Sequence, residues 1–392
     1  MRVADRRVLP LDAERALLVG RVWDPKSGGP RPVLVRGEAV HDIFDLSSTI
    51  SALLERDDAV DALRAVSSPP RWQLPDLVAA SVERRYEAHL LAPVDLQVIK
   101  ACGVTFVDSM IERVIEERCG GDPVRAAEVR AMLAAQVTED LGAVVPGSKD
   151  AARLREALLA KGWWSQYLEV GLGPDPEVFT KAPVLASVGW GARIGIPRFS
   201  GWNNPEPELV LVADSLGRAR GCTLGNDVNL RDVEGRSALL LGMAKDNNAQ
   251  SALGPFIRLF DGEFTLDTVR SETIELEVVG VDGYRMDGVN SVSRLSRSFE
   301  ELLAAVHGEH HQYPDGFALY TGTLFAPTQD RDAAGAGFTH HTGDIVTISS
   351  PHLGTLVNEV APTETIEPWD FGVSALCAYL LGQQRHARDT EL

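Results

Sequence analysis

The stretch from Trp202 to Pro255 constrains this chain more than any other. It carries Glu206-Pro-Glu208 and runs straight into Leu209-Val210-Leu211-Val212. In an extended strand, residues i and i+2 share a face, so both carboxylates reach one spot. Asp214-Ser-Leu-Gly217 then reads as a reversing turn, and the strand after it returns Asp227, nineteen residues beyond Glu208, to the pair. On spacing alone the same residues also read as a solvated strand edge. Three carboxylates with no His or Cys nearby suit Mg²⁺, or Mn²⁺, rather than Zn²⁺, and leave room for water and a bidentate substrate.

The company these residues keep decides between the two readings. Lys245 follows Asp227 by eighteen residues, and Gly225-Asn-Asp-Val-Asn-Leu-Arg-Asp232 surrounds the third carboxylate. Downstream come Leu253-Gly-Pro255, Thr321-Gly-Thr323, Gly343-Asp-Ile-Val346 and Leu353-Gly-Thr-Leu-Val-Asn-Glu-Val360. This ordered set closely resembles the fumarylacetoacetate hydrolase family over roughly residues 96–375, with one departure, Asn229 at a Ser/Thr position. The segment from Phe179 through Lys181 to Pro183 resembles the family's F-x-K-x-P motif.

The resemblance implies an α+β fold, a mixed β-rich roll with a small N-terminal domain (1–95) ahead of a catalytic domain (96–392) that carries a helical insertion at about 119–175. It implies Mg²⁺ on Glu206, Glu208 and Asp227, with Lys245 as a catalytic cation. The family's hydrolases read G-x-N-Y-x-x-H-x-x-E where this chain has Gly103, Thr105, Phe106, Ser109 and Glu112, so a serine replaces the histidine. Serine without a base cannot activate water at neutral pH. This points to the family's 2-keto-3-deoxy sugar acid dehydratases, acting on 2-keto-3-deoxy-D-arabinonate (the same compound as the D-xylonate product) and yielding 2,5-dioxopentanoate. Glu112 is then the expected base at C3, and Ser109, Thr323 and Arg231 the expected substrate contacts. The alternatives are a carbon–carbon hydrolase of acylpyruvates or 2,4-diketo acids, and a non-catalytic binding or assembly member. Family members are commonly homodimers or homotetramers.

The partner that the resemblance implies is a small-molecule 2-oxo acid, and composition disfavours larger anionic partners. With 38 Lys plus Arg against 56 Asp plus Glu, the formal charge of −18 disfavours nucleic acid and anionic membrane. No apolar run reaches membrane-spanning length, and the amino terminus lacks a signal-peptide core, so a cytoplasmic location is expected. Cys102, Cys119, Cys222 and Cys377 show no pairing pattern and read as thiols in a reducing compartment.

Along the chain, residues 16–23 and 31–36 read as strands, 49–54 and 59–66 as short helices, and 71–91 as a connecting segment. An amphipathic helix is expected from Phe106 to about Cys119, opened by a Thr105-x-x-Asp108 capping box. Val124–Leu141 and Lys149–Leu159 read as helices of the insertion, whose Trp163, Trp164 and Tyr167 suit either a core or a cover over a pocket. Strand signals then dominate at 208–212, 221–224, 273–279, 283–286, 317–321 and 344–349, with a helix over 298–306. His307, His310, His311, His340 and His341 lack metal-ligand spacing and read as loop histidines. Arg385–Leu392 reads as a frayed polar end.

Overall fold

The computed structural model describes residues 7–126, 128–129, 144–323, 329–332 and 337–390, except for the side chains of 107–109, 111 and 386–390. In chain order the first strands are β1 (Leu18–Asp24), β2 (Gly29–Arg36), β3 (Ala39–Asp42), β4 (Trp72–Gln73), β5 (His89–Leu91) and β6 (Val98–Gly103). After the insertion come β7 (Glu177–Ala182), β8 (Arg193–Ile196), β9 (Asn203–Asn204), β10 (Pro207–Ala213), β11 (Ala219–Asp227), β12 (Asn229–Leu230) and β13 (Ser251–Leu259). The last are β14 (Thr273–Val279), β15 (Arg285–Ser291), β16 (Phe317–Tyr320), β17 (Ile345–Ser350) and β18 (Gly354–Pro362).

A large sheet runs β4-β3-β2-β1-β13-β11-β10-β16-β6-β7, with β5 paired to β1. A second sheet runs β15-β14-β17-β18-β8, and β9 pairs with β12. The β16–β6 and β18–β8 pairs are parallel, whereas β10, β11 and β13 are antiparallel neighbours. This mixed, β-rich α+β architecture is the one expected.

The core explains why β10 is apolar at every position after Glu208. Leu209 and Leu211 pack with Leu276, Val278 and Ile348 of the second sheet. Val210 and Val212 point the other way, into a cluster with Ile257, Tyr320 and the helical residues Ile50 and Leu53. A strand covered on both faces needs apolar side chains on both. Each buried Leu or Val contributes roughly 1.5–3 kcal/mol, so the register of this strand, and with it the place of the two glutamates, is strongly fixed.

Among the described residues of 1–95, β1 to β5 all lie in the large sheet. β1 pairs with β13 through Leu18↔Arg258 and Val19↔Ile257, and Val33, Val35 and Leu77 share one core cluster with Leu211 and Val346. The stretch 71–91, expected to be a connector, contains β4, β5 and a helix over Leu74–Glu83. Its apolar residues Leu74, Leu77 and Val78 are buried at helical spacing, and Pro75 sits in the first turn, where its missing N–H costs nothing.

Other expectations change. The helix before the insertion runs Val107–Cys119 with Phe106 as its N-cap residue and no capping side chain. Thr105 precedes the N-cap position instead of occupying it, and its hydroxyl donates to the Thr321 carbonyl at 2.8 Å. In the insertion, helices form at Lys149–Ala160 and Gln166–Leu172. Most of the expected Val124–Leu141 helix lies outside the described residues. Tyr167, Trp163 and Trp164 pack into a cluster with Met110, Val114 and Leu168, so they serve as core. The end of the chain is helical over Val373–Thr390, where a frayed segment was expected from Arg385. Among the described residues, no helix is long and apolar enough to cross a membrane.

The histidines stay out of any metal cluster among the described residues. His307 meets the Ser215 carbonyl at 3.1 Å and His310 the Ala305 carbonyl at 3.3 Å. His311 lies edge-on to Tyr313, and His341 pairs with Asp332. His340 is buried against Asn203, and burial pushes its pKa down to about 3.

Candidate metal and active site

The hairpin closes as its sequence requires. Asp214 accepts from the backbone N–H groups of Leu216 and Arg218, and Gly217 takes the positive φ of 75° that the turn demands. β10 and β11 then pair with Pro207 opposite Asn226 and Glu208 opposite Gly225. The Asp227 N–H donates to the Glu206 carbonyl at 3.0 Å, and the Glu206 N–H donates to Asn226 Oδ1 at 3.0 Å. Carboxylate oxygens of Glu206, Glu208 and Asp227 consequently lie within 4.8 Å of one another, all three residues buried.

Such crowding shows in the electrostatics. Burial, followed by Asp227 and Glu206, drives the Glu208 pKa well above the carboxylate range. Glu208 accepts from the Gly322 N–H at 2.7 Å. That N–H comes from the Thr321-Gly-Thr323 turn, where φ at Gly322 is 97° and a Cβ would meet Thr105 Oγ1 at 1.8 Å. Only glycine fits there.

Two lysines balance Asp227. Lys245, at the end of the short helix Leu241–Lys245, reaches Glu206 Oε2 at 2.5 Å and Asp227 Oδ2 at 3.0 Å. Burial lowers the Lys245 pKa, but Asp227 and Glu206 outweigh it and hold the ammonium charged. Lys181, fully buried, pairs with Asp227 Oδ1 at 2.8 Å and donates to the carbonyls of Val228 and Lys245. Burial would raise the Asp227 pKa, yet the two lysines hold it below the usual value. Lys181→Met leaves Asp227 without this partner and frees two buried carbonyls. We expect it to cost about 3–5 kcal/mol, read as the loss of metal-free stability in urea; a change below about 1 kcal/mol would show that the pair is not structural.

The cleft around the triad is lined by Arg113, Glu177, Phe179, Glu234, Lys245 and Thr323, together with the β6 end and loop residues Cys102, Gly103 and Val104. The free space among them is about 20 Å³, room for a water or two. Glu177 faces Gly103 across the β6–β7 pair, and a Cβ at Gly103 would lie 2.0 Å from Glu177 Oε2. The glycine is what lets that carboxylate lie over the strand. Burial first, then Glu234, raises the Glu177 pKa to about 7.

The structure thus gathers five of the residues expected at the site: Glu206, Glu208, Asp227, Lys245 and Thr323. Arg231 and Glu112 are not among the described residues lining the cleft. Arg231 is buried over Trp202, 4.1 Å from its ring, with Nε on Glu116 Oε1 at 2.6 Å and Nη2 on Glu112 Oε2 at 3.5 Å. The Ser109 side chain lies outside the described residues. Glu177, Lys181, Arg113 and Glu234 were missed. Lys181 and Glu177 sit in or beside the F-x-K-x-P segment, and Glu234 follows the Arg231-Asp232 pair, so two motif-bearing stretches held the signal.

The residues fit a divalent ion. Three all-oxygen ligands are buried together, a hard-cation donor set. When ionised, the five cleft carboxylates outnumber Arg113, Lys181 and Lys245 by two charges, which a dication balances.

No family model matches the chain. It is 32% identical over 188 residues to the 2-dehydro-3-deoxy-D-arabinonate dehydratase of Saccharolobus solfataricus, covering 47% of this chain and 58% of that protein. It is 33% identical over 195 residues to a protein of Haloferax volcanii described as a probable 2-keto-3-deoxyxylonate dehydratase, covering 50% and 63%. The alignments therefore span about three fifths of the curated relatives' length. Among solved structures, a 2-keto-3-deoxy-D-arabinonate dehydratase complexed with magnesium and 2,5-dioxopentanoate superposes with a TM-score of 0.63 at 21% identity, over 88% of this chain and 99% of that one. A fumarylacetoacetate hydrolase from Exiguobacterium antarcticum superposes with a TM-score of 0.52 at 17% identity, over 88% and 100%. By fold, then, this chain is an α+β protein of the fumarylacetoacetate hydrolase type, and over about half its length its sequence is similar to 2-keto-3-deoxy sugar acid dehydratases.

Proposed function

We propose that the chain is a Mg²⁺-dependent dehydratase of a 2-keto-3-deoxy sugar acid, converting 2-keto-3-deoxy-D-arabinonate to 2,5-dioxopentanoate with loss of one water. The observation that carries this reading is a cleft with three ligand carboxylates, a charged lysine and a separate carboxylate near neutrality, but no histidine among its described lining residues. The similarity to dehydratases supports the same choice. The reading includes a cytoplasmic homodimer or homotetramer.

Glu206, Glu208 and Asp227 would hold the ion, and when bound it supplies a Lewis acid for the 2-oxo group. In this reading Glu177, which lines the cleft, takes the C3 proton in place of Glu112. Its pKa near 7 lets it serve as base and then as acid. The C3 electron pair expels the C4 hydroxyl, which leaves as water with the proton from Glu177. Moving one hydrogen from C5 to C3 turns the resulting C3=C4 alkene into a C4=C5 enol, whose hydroxyl proton passes to C4 and leaves the saturated C5 aldehyde. Lys245 Nζ holds its charge beside the ligands, where it stabilises negative charge growing on the oxo oxygen. Thr323 offers its hydroxyl to the substrate carboxylate.

Incubation with Mg²⁺ and 2-keto-3-deoxypentonate, followed by NMR, should show an aldehyde proton appearing with loss of the C4 carbinol signal. Pyruvate and a second acid released from an acylpyruvate, with the pentonate untouched, would establish the hydrolase instead.

A further inference from the structure

We infer that Arg113 is the positioning residue for Glu206: it clamps that ligand carboxylate to the Val107–Cys119 helix and to Glu234. The inference rests on the metal reading of the triad and concerns how the ligand is held. Each of the other two ligands has an evident anchor. Glu208 accepts from the Gly322 N–H, and Asp227 lies between Lys181 and Lys245. Glu206 precedes β10, where hydrogen bonds with the Asp227 N–H and Asn226 Oδ1 fix its backbone while its side-chain torsions need another restraint.

Arg113 supplies that restraint. Its Nη2 donates to Glu206 Oε1, while Nη1 lies 2.6 Å from Glu116 Oε2 and 2.9 Å from Glu234 Oε2. Lys245 holds the other oxygen, Glu206 Oε2. With a different cation on each oxygen, the plane of the carboxylate is set. Arg113 is itself held from behind, since Glu116 also binds Arg231, which is stacked on Trp202. A continuous set of charge-assisted contacts thus runs from Trp202 through Arg231, Glu116 and Arg113 to the ligand. A planar guanidinium can serve three carboxylates in fixed directions, whereas an ammonium is a point charge without that fork. None of the expected site residues has this role, and Arg113 stands directly after Glu112 in the sequence.

Calorimetric titration of Mg²⁺ into the wild-type chain, Arg113→Lys and Arg113→Ala tests this, with metal-free thermal midpoints as the control for folding. We expect Arg113→Lys to bind Mg²⁺ about 10–100-fold more weakly, the range found when an outer partner of a metal ligand is lost. Arg113→Ala should be weaker still, and millimolar guanidinium should restore part of its affinity without changing the wild-type isotherm. If Arg113→Ala does not fold, Arg113→Lys decides alone. Wild-type or tighter binding in a folded variant would show that Arg113 merely balances charge or competes with the ion, and would overturn the inference. Absence of Mg²⁺ binding by the wild-type chain would instead sink the metal reading, and the inference with it.

Discussion

Glu208→Gln is expected to abolish Mg²⁺ binding and lower turnover of the 2-keto-3-deoxy acid by about three orders of magnitude, since a Lewis acid supplies several kcal/mol at about 1.4 kcal/mol per tenfold. The variant should remain folded. Glu208 is nearly isosteric with Gln, and its metal-free charge is disfavoured by burial, Asp227 and Glu206. An amide removes the cost of holding that buried carboxyl neutral in the fold while it ionises in the unfolded chain, so the metal-free thermal midpoint should be at or above that of the wild type. The two proteins should then diverge with metal. Saturating Mg²⁺ at about 100 times its Kd stabilises a binding protein by about 2.7 kcal/mol, and this increment should be present in the wild type and missing in Glu208→Gln. Full activity of the wild type in excess chelator, or an unchanged Mg²⁺ isotherm in the variant, would remove Glu208 from the ligand set.

Glu177→Gln and Glu112→Gln form the second decisive pair. Loss of a general acid–base group typically costs about 10²–10⁴-fold in rate, and that loss is expected for Glu177→Gln, with Mg²⁺ affinity changed far less. Glu112→Gln should fall by about tenfold or less, because its carboxylate lies 3.5 Å from Arg231 and is not among the described residues lining the cleft; a loss of about 10² or more is the general acid–base signature. The pH profile gives an independent check. A base works as the carboxylate, so activity should rise as pH passes through the Glu177 pKa, which stands at about 7 without metal. A bound dication favours the ionised form and moves that limb to lower pH. Deletion of the limb in Glu177→Gln, with the limb intact in Glu112→Gln, is the expected result. The reverse pattern would restore Glu112 as the base.

The two assignments differ in how they could be read from sequence. Glu112 was reached by position in a motif, and on a helix that position says which face a residue shares, not which way the helix is turned. The Val107–Cys119 helix packs Met110, Val114 and Ile115 into the cluster holding Leu154, Leu168 and Leu172. That packing turns Glu112 toward Arg231 and brings Arg113 to Glu206. Arg231 was likewise drawn to the site by the motif around Asp227; its guanidinium lies over Trp202 and on Glu116, outside the described residues that line the cleft.

By itself the sequence determined the triad, because period-two geometry and a reversing turn act within some twenty residues: Glu206, Glu208 and Asp227 meet through one hairpin, whose register the apolar run Leu209–Val212 locks. It also determined the mixed β-rich class, since strand alternation and turn residues are local signals. The tertiary structure alone decided what surrounds the triad. Glu177 and Gly103 are 74 positions apart and meet only because β6 and β7 pair. Lys181 reaches Asp227 from β7, Arg113 reaches Glu206 from a helix 93 residues earlier, and Gly322 caps Glu208 from 114 residues later. Each contact joins strands or helices whose pairing is chosen by burial of the shared core, an energy summed over the whole fold that no single stretch of the chain contains.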